Sequence, residues 1–444
     1  MSNGRKLFDL EKSGTNVGTE VISGIATFLA MAYIIVVNPA IISQTGMPFN
    51  GVLFATILVS AFSSIAMGLY ANLPFALAPG MGINAFFTYT LVLGMGIPWE
   101  TALGAVFLSG VLFIILSIFK VRVTIVKAVP ASLRYAVAAG IGLFLTFIGF
   151  QQVGFIVTNP ATLVSFGGIN HTVIIFLVGL FITSILVIKK VRGNLVLGII
   201  ITSIIALIVS LIGVKSGRME APIVTLPKAV FALPSLDMLF KLDIVGALKF
   251  SMLGPIFALL FTDMFDSIST FLGVAQVAGL IDKDGQPVRV GRALLVDAGS
   301  TTISGLFGTS SGTTYIESAA GVEEGGKTGL TAVISGLLFL PFMFMSPLLS
   351  FIPAVATAPV LVLVGVFMMK PITKLDWNQM DEAIPAFVAM ILIPLTYSIT
   401  QGIVWGFLSY TVIKLLIGKG KDIHWMLYII DAFAILSLAL PFIK

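Results

Sequence analysis

Apolar runs long enough to cross a membrane recur along this chain from Thr19 onward, separated by short polar loops. They place spans at roughly 19–37, 51–70, 73–92, 101–119, 135–150, 171–188, 194–213, 246–272, 290–306, 308–326, 328–350, 354–369, 383–398 and 400–417, fourteen in all. The third and tenth are broken. In LPFALAPGMGINAFF, Pro74 and Pro79 interrupt any helix, so 73–78 is expected to be extended and 80–90 a half-helix. In GTSSGTTYIESAAG, residues 308–314 are expected to be extended and 315–321 the matching half-helix. Short interrupted segments at corresponding places in two halves are the best sequence pointer to a transporter's binding site. A further apolar stretch from Trp425, within 422–442, holds Asp431 and reads either as another crossing or as an interfacial helix.

Loop charge then fixes the expected topology. Basic residues precede span one (Arg5, Lys6, Lys12) and follow span four (Lys120, Arg122, Lys127, Arg134), span six (Lys189, Lys190, Arg192) and span eight (Lys283, Arg289, Arg292). They also follow span ten (Lys327), span twelve (Lys370, Lys374) and span fourteen (Lys419, Lys421). The odd-numbered loops are bare of Lys and Arg except 214–245, which is long enough to cross regardless of charge. A multi-pass protein of the cell membrane is expected, with residues 1–18 cytoplasmic and 214–245 extracellular. Seven spans per half force the second half to run inverted. The predicted fold class is therefore all-α integral membrane, about 14 transmembrane segments as a 7+7 inverted repeat.

Composition agrees. Hydrophobic residues make up 58% and charged residues 10%, against about 25% charged in soluble domains. The pI near 9.3 reflects basic residues dealt out to loops, so no nucleic-acid partner is expected. Cysteine is absent, which excludes disulfides and thiolate chemistry. The polar start gives no expectation of a cleavable leader. Two enzyme patterns are accidental. GTSSG at 308–312 lacks the strand–turn–helix and a nearby histidine, the two histidines being His171 and His424. GMGINA at 80–85 lacks the βαβ unit. No catalytic residue, metal or cofactor is expected, and the sequon at Asn170 matters only in a host that glycosylates.

The candidate chemistry lies in Asp263, Asp266 and Glu317, carboxylates inside spans, where burial is expensive and marks function. Asp263 and Asp266 are three apart and share a helix face with Thr262, Ser269 and Thr270 nearby. Asn84 and Glu317 each fall at the start of a half-helix, whose free N–H groups and positive dipole end face a ligand. Carboxylates accept paired N–H donors and Asn offers one donor and one acceptor, which suits a small, polar, planar solute. Phe75, Phe86, Phe87, Phe265 and Tyr315 are near enough in sequence to wall it, with Ile316 beside them. A buried carboxylate can also carry a coupling proton. Asp297 in span nine is a further relay candidate, although bonding to backbone or a hydroxyl is its commoner role. Glu323 and Glu324, near Lys327, read as a solvated loop.

ALAPGMGINAFFTYT, FTDMFDSISTFLGVA, GTSSGTTYIESAAGVEEGGKTGL and the opening GTEVISGIATFLAMAYIIVVNP resemble the nucleobase–cation symporter-2 (xanthine/uracil permease) family, most of all its AzgA-like adenine/guanine/hypoxanthine branch. The resemblance runs to about residue 417. It implies a core domain (19–119 and 246–350) that moves against a gate domain (131–213 and 353–417). It also implies a proton-coupled symporter that imports purine nucleobases, with a homodimer possible in the bilayer. The family's two acidic substrate positions match Asp266 and Glu317, and its span-three asparagine matches Asn84. Asp263 is the rival on span eight. Thr270, Tyr315, Ile316 and Phe75 join the expected substrate site, and Asp266, Glu317, Asp263 and Asp297 the expected proton path. Relatives that take uracil or xanthine usually carry Glu on span eight, where this chain carries the shorter Asp. An anion carrier on the same fold is the competing reading, weakened by three acids near the site.

Overall fold

The computed structural model describes residues 8–119, 128–216, 219, 221–224, 227, 229–281 and 288–439, without the side chains of residues 269, 272, 433 and 436–439. Arg5, Lys6, Lys120, Arg122, Lys127, Lys283, the Ser269 side chain and residues 440–442 lie outside that set.

The first span runs from Val17 to Thr45 as two helices, α1 (Val17–Met31) and α2 (Ile34–Ile42). They meet at Ala32–Tyr33, where the Ile35 and Val36 amides reach back only three residues. There follow α3 (Phe49–Ala66), β1 (Leu77–Pro79), α4 (Met81–Ala85, continuing as a π-helical segment to Gly94), α5 (Trp99–Ile118), α6 (Ala131–Gln152), α7 (His171–Ile188) and α8 (Asn194–Lys215). A short exposed hairpin, β2 (Ile156–Asn159) with β3 (Leu163–Phe166), sits between α6 and α7 and is not apparent from the sequence pattern. The second half repeats the order: α9 (Leu253–Ala278), α10 (Val290–Phe307), β4 (Gly312–Thr314), α11 (Ser318–Glu323), α12 (Gly329–Phe339), α13 (Ala354–Met369), α14 (Met380–Thr396) and α15 (Ile399–Leu416). A last helix, α16 (Trp425–Ala439), packs on α15 and α9, and its Asp431 accepts from the Thr411 hydroxyl at 2.5 Å.

Among the described residues, nine helices are long and apolar enough to cross a membrane, and Met81–Gly94 and Gly329–Phe344 are shorter apolar segments. With α10, α14 and the broken tenth span they make the fourteen segments of the inverted repeat. The third segment of each half carries the break. Arg134 departs from its expected loop position: it lies in the first turn of α6.

Two helical groups result. In one, α12 packs on α1 and α3, and α5 on α10. In the other, α6 packs on α13 and α14, and α14 on α15. Glycine sets the closest approaches, as expected where helices associate without a hydrophobic driving force. A Cβ on Gly142 of α6 would come within 2.6 Å of the Gly365 carbonyl of α13, and one on Gly365 within 2.5 Å of the Gly142 carbonyl. Glu20, fully buried on α1, accepts from the Lys327 and Thr331 amides at 3.0 and 3.1 Å and so caps the start of α12.

Candidate functional site

Non-helical backbone at membrane depth must have its polar groups satisfied internally. Here the two extended segments satisfy each other. β1 and β4 pair antiparallel in the register Leu77 with Thr314, Ala78 with Thr313, Pro79 with Gly312. Flanking bonds extend the ladder: Gly80 N–H to the Ser311 carbonyl at 2.9 Å and Tyr315 N–H to the Ala76 carbonyl at 3.0 Å. Pro79 has no N–H to leave unpaired. The antiparallel sense is what two inverted copies of one segment must adopt.

Beyond the strands the two half-helices begin side by side. Gly80, Met81 and Gly82 at the start of α4 line the same cavity as Tyr315, Ile316 and Glu317 before α11. Glu317 occupies the cap position of α11 rather than its interior, because the chain leaves β4 through a turn and the helix begins only at Ser318. From α9, Asp266 and Thr270 close the cavity, and Val364 and Met368 of α13 close it from the other helical group. Tyr33, at the break in span one, donates its hydroxyl to Glu317 Oε1 at 2.7 Å. The cavity holds about 60 Å³, room for a few waters.

The structure thus brings together Asp266, Glu317, Thr270, Tyr315 and Ile316 from among the residues expected at the site. It separates the others. Asp263, one turn from Asp266, is buried and accepts from the Thr301 hydroxyl of α10. Asp297 is buried behind β4 and accepts from Ser267 at 2.5 Å and from Thr314 at 3.4 Å. Ser267 is in turn 2.8 Å from the Thr313 hydroxyl, so Asp297 acts on the strand through its hydroxyls. Asn84 accepts from the Ser310 hydroxyl, tying α4 to the segment before β4, and does not line the cavity. Phe75 is fully buried against Phe271, with ring centroids 5.7 Å apart in a separate apolar cluster, so it is no wall of this cavity. Phe86 and Phe87 are also fully buried away from it. Phe265 lines a smaller neighbouring cavity with Asp266. Glu324, expected in a solvated loop, pairs with Arg192 at 2.5 Å across the two helical groups. Tyr33, Met81, Val364 and Met368 escaped the sequence reading, since a tyrosine or methionine in an apolar run carries no signal of its own.

A cluster that presents carboxylate oxygens beside half-helix N-termini is built to accept N–H donors. An anion brought against two carboxylates would meet Coulomb repulsion that rises as water leaves.

The model of the Permease family, Xan_ur_permease, matches residues 18–405. The adenine permease AdeP of Escherichia coli is 39% identical over 98% of this chain and 95% of its own length. The guanine/hypoxanthine permease PbuG of Bacillus subtilis is 40% identical over 99% of this chain and all of its own. Among solved structures, the transmembrane domain of BicA, a cyanobacterial bicarbonate transporter, superposes with a TM-score of 0.64 at 15% identity, covering 88% of this chain and 97% of that one. That likeness is one of fold.

Proposed function

We propose that this chain, which belongs to the permease family and spans the membrane many times, carries purine nucleobases into the cell together with protons. One observation carries the reading: Asp266 and Glu317 share a single cavity at the meeting point of the two broken spans.

In this reading the two carboxylates accept the N–H edge of the base. The Tyr33 hydroxyl holds Glu317 in orientation, and Tyr315, Ile316 and Met368 supply the faces. Asn84 braces the α4 half-helix through Ser310. A site of two carboxylates favours uptake of a proton with the base, because one protonated acid becomes a donor and the pair no longer repels itself. The cavity lies between the two helical groups, with Val364 and Met368 of α13 closing it from one side. Movement of the core (19–119 and 246–350) against the gate (131–213 and 353–417) carries the site across. The amino terminus and the basic loops face the cytoplasm, and 214–245 the outside, as the positive-inside rule directs.

The test is uptake of labelled adenine, guanine, hypoxanthine, xanthine and uracil into proteoliposomes, with and without an inward proton gradient. Gradient-driven purine uptake is expected. Glu317→Gln and Asp266→Asn are each expected to reduce it by at least about 100-fold, the loss of about 3 kcal/mol of charge-assisted hydrogen bonding. Folded protein that transports none of the bases, or variants that transport as well as the parent, would overturn the reading.

A further inference from the structure

A second chamber lies at the span ends opposite the basic loops. It holds about 580 Å³, within the roughly 300–1,000 Å³ of small-molecule sites. Gln44, from the end of the first span, and Tyr89, of the third, form one side. Gln151 and Gln152, at the end of α6, and Tyr397, just past α14, form the other. The described residues that line it are all uncharged. Gln152 Nε2 donates to the Tyr89 hydroxyl at 3.1 Å, and Tyr89 donates to Gln44 Oε1 at 3.1 Å. Tyr397 donates to Gln151 Oε1, and its carbonyl accepts from the Thr90 hydroxyl at 2.9 Å. The Gln152–Tyr89 and Thr90–Tyr397 bonds thus cross between the two helical groups. Phe144, fully buried, meets the Tyr397 and Tyr89 rings edge-on at centroid distances of 5.1 and 6.4 Å and holds both in place.

We propose that this chamber is a docking site for the incoming neutral base, occupied before the Asp266–Glu317 cavity is. This rests on the nucleobase reading above. The two sites are distinct: Ile141 of α6 abuts Gly82 at the deeper cavity, and Gln151 lies about 15 Å further along that helix. A planar base laid against a tyrosine ring gains an aromatic contact. Each glutamine carboxamide offers a donor and an acceptor side by side, the pattern that the edge of a neutral purine presents. A phosphate would find no counter-charge here, so the lining selects the bare base over its nucleotide. A base that takes the Gln152 amide also removes it from Tyr89, so docking loosens a link between the two groups. Loop charge assigns these span ends to the outside, the side from which an imported base arrives.

The chain has no cysteine, so a single one introduced at the exposed Leu93, on the chamber wall, is its sole thiol. The experiment follows the rate of maleimide alkylation of Leu93→Cys protein in detergent against adenine or hypoxanthine concentration. The same titration is run with Glu317→Gln added, which disables the deeper site. Saturating base is expected to slow alkylation at least about fivefold in both proteins, and adenosine monophosphate to leave it unchanged. Adding Gln152→Ala or Gln151→Ala is expected to raise the half-protecting concentration by about five- to tenfold, the loss of a hydrogen bond. Protection that disappears with Glu317→Gln would overturn the proposal, because the base would then act from the deeper site. Equal protection by the nucleotide would overturn it too, as would indifference to both glutamine changes. Parent protein that takes up purines in proteoliposomes while Leu93→Cys shows no protection refutes this inference alone. Parent protein that takes up no base refutes the nucleobase reading.

Discussion

Tyr33 is held where two helices of one span part company, and its hydroxyl is spent on one carboxylate oxygen of Glu317 at 2.7 Å. A hydrogen bond to a charged group is worth about 1.5–3 kcal/mol. Tyr33→Phe is therefore expected to weaken apparent substrate affinity by roughly tenfold or more while the protein remains folded, read from the concentration dependence of uptake. An unchanged affinity would mean that Glu317 is oriented by its own backbone. The sequence pointed to Glu317 because an acid in an apolar run stands out. It could not point to Tyr33, whose environment there is unremarkable. Asp263 and Asp266 were inseparable on paper, because three residues along a helix leave two side chains on nearly the same face. Only the position of Thr301, contributed by a different helix, assigns Asp263 to the interior and leaves Asp266 at the cavity.

Among elements, the broken spans were legible and their partnership was not. Prolines 74 and 79 and the Gly–Ser–Thr run announce interruption, whereas strands of three residues each are too short to carry a pairing signal. Gly312 shows how tightly β4 is seated: a Cβ there would lie 2.1 Å from Ser300 Oγ and 2.9 Å from Val59 Cγ1. Gly312→Ala is expected to destabilise the protein by about 1–3 kcal/mol through overpacking, seen as a lower thermal midpoint in detergent. A different kind of contact joins α14 to α15. Lys414 and Lys419 each donate to Asp381 Oδ2 at 2.8 Å and hold its carboxyl down at about 2. A depressed acid stabilises above its unfolded pKa, about 3.9, and loses that contribution as pH falls through its folded value. Asp381→Asn should accordingly lower the unfolding temperature at pH 7. The gap from the parent should close between about pH 4 and pH 2. A gap that persists to pH 2 would show that the ion pairs contribute nothing.

At the scale of the molecule, the two helical groups meet where Gly82 of α4 touches Ile141 of α6. A Cβ on Gly82 would stand 3.8 Å from the Ile141 Cβ, the usual separation across a disulfide. The chain has no cysteine of its own to confuse the result. In a Gly82→Cys, Ile141→Cys protein, oxidation is expected to cut uptake by at least about tenfold and reductant to restore it. A crosslinked carrier that still transports would show that these surfaces do not part. The inverted repeat itself was readable from loop charge, since an odd count of spans in each half leaves no other arrangement. The way its halves lock was not, because it depends on contacts between residues far apart in the chain. That locking also sets a timetable for biogenesis. Ala78 finds its partner only when Thr313 has been made. At a synthesis rate of about 5–20 residues per second the first strand waits roughly ten to fifty seconds. Through that interval Leu77 can already bond Ser64 of α3, whereas Ala78 and Gly80 still lack their partners on the later strand. The newborn first half must shelter those two in water, in the insertion machinery or against a chaperone, and a chain truncated before residue 312 never pairs Ala78.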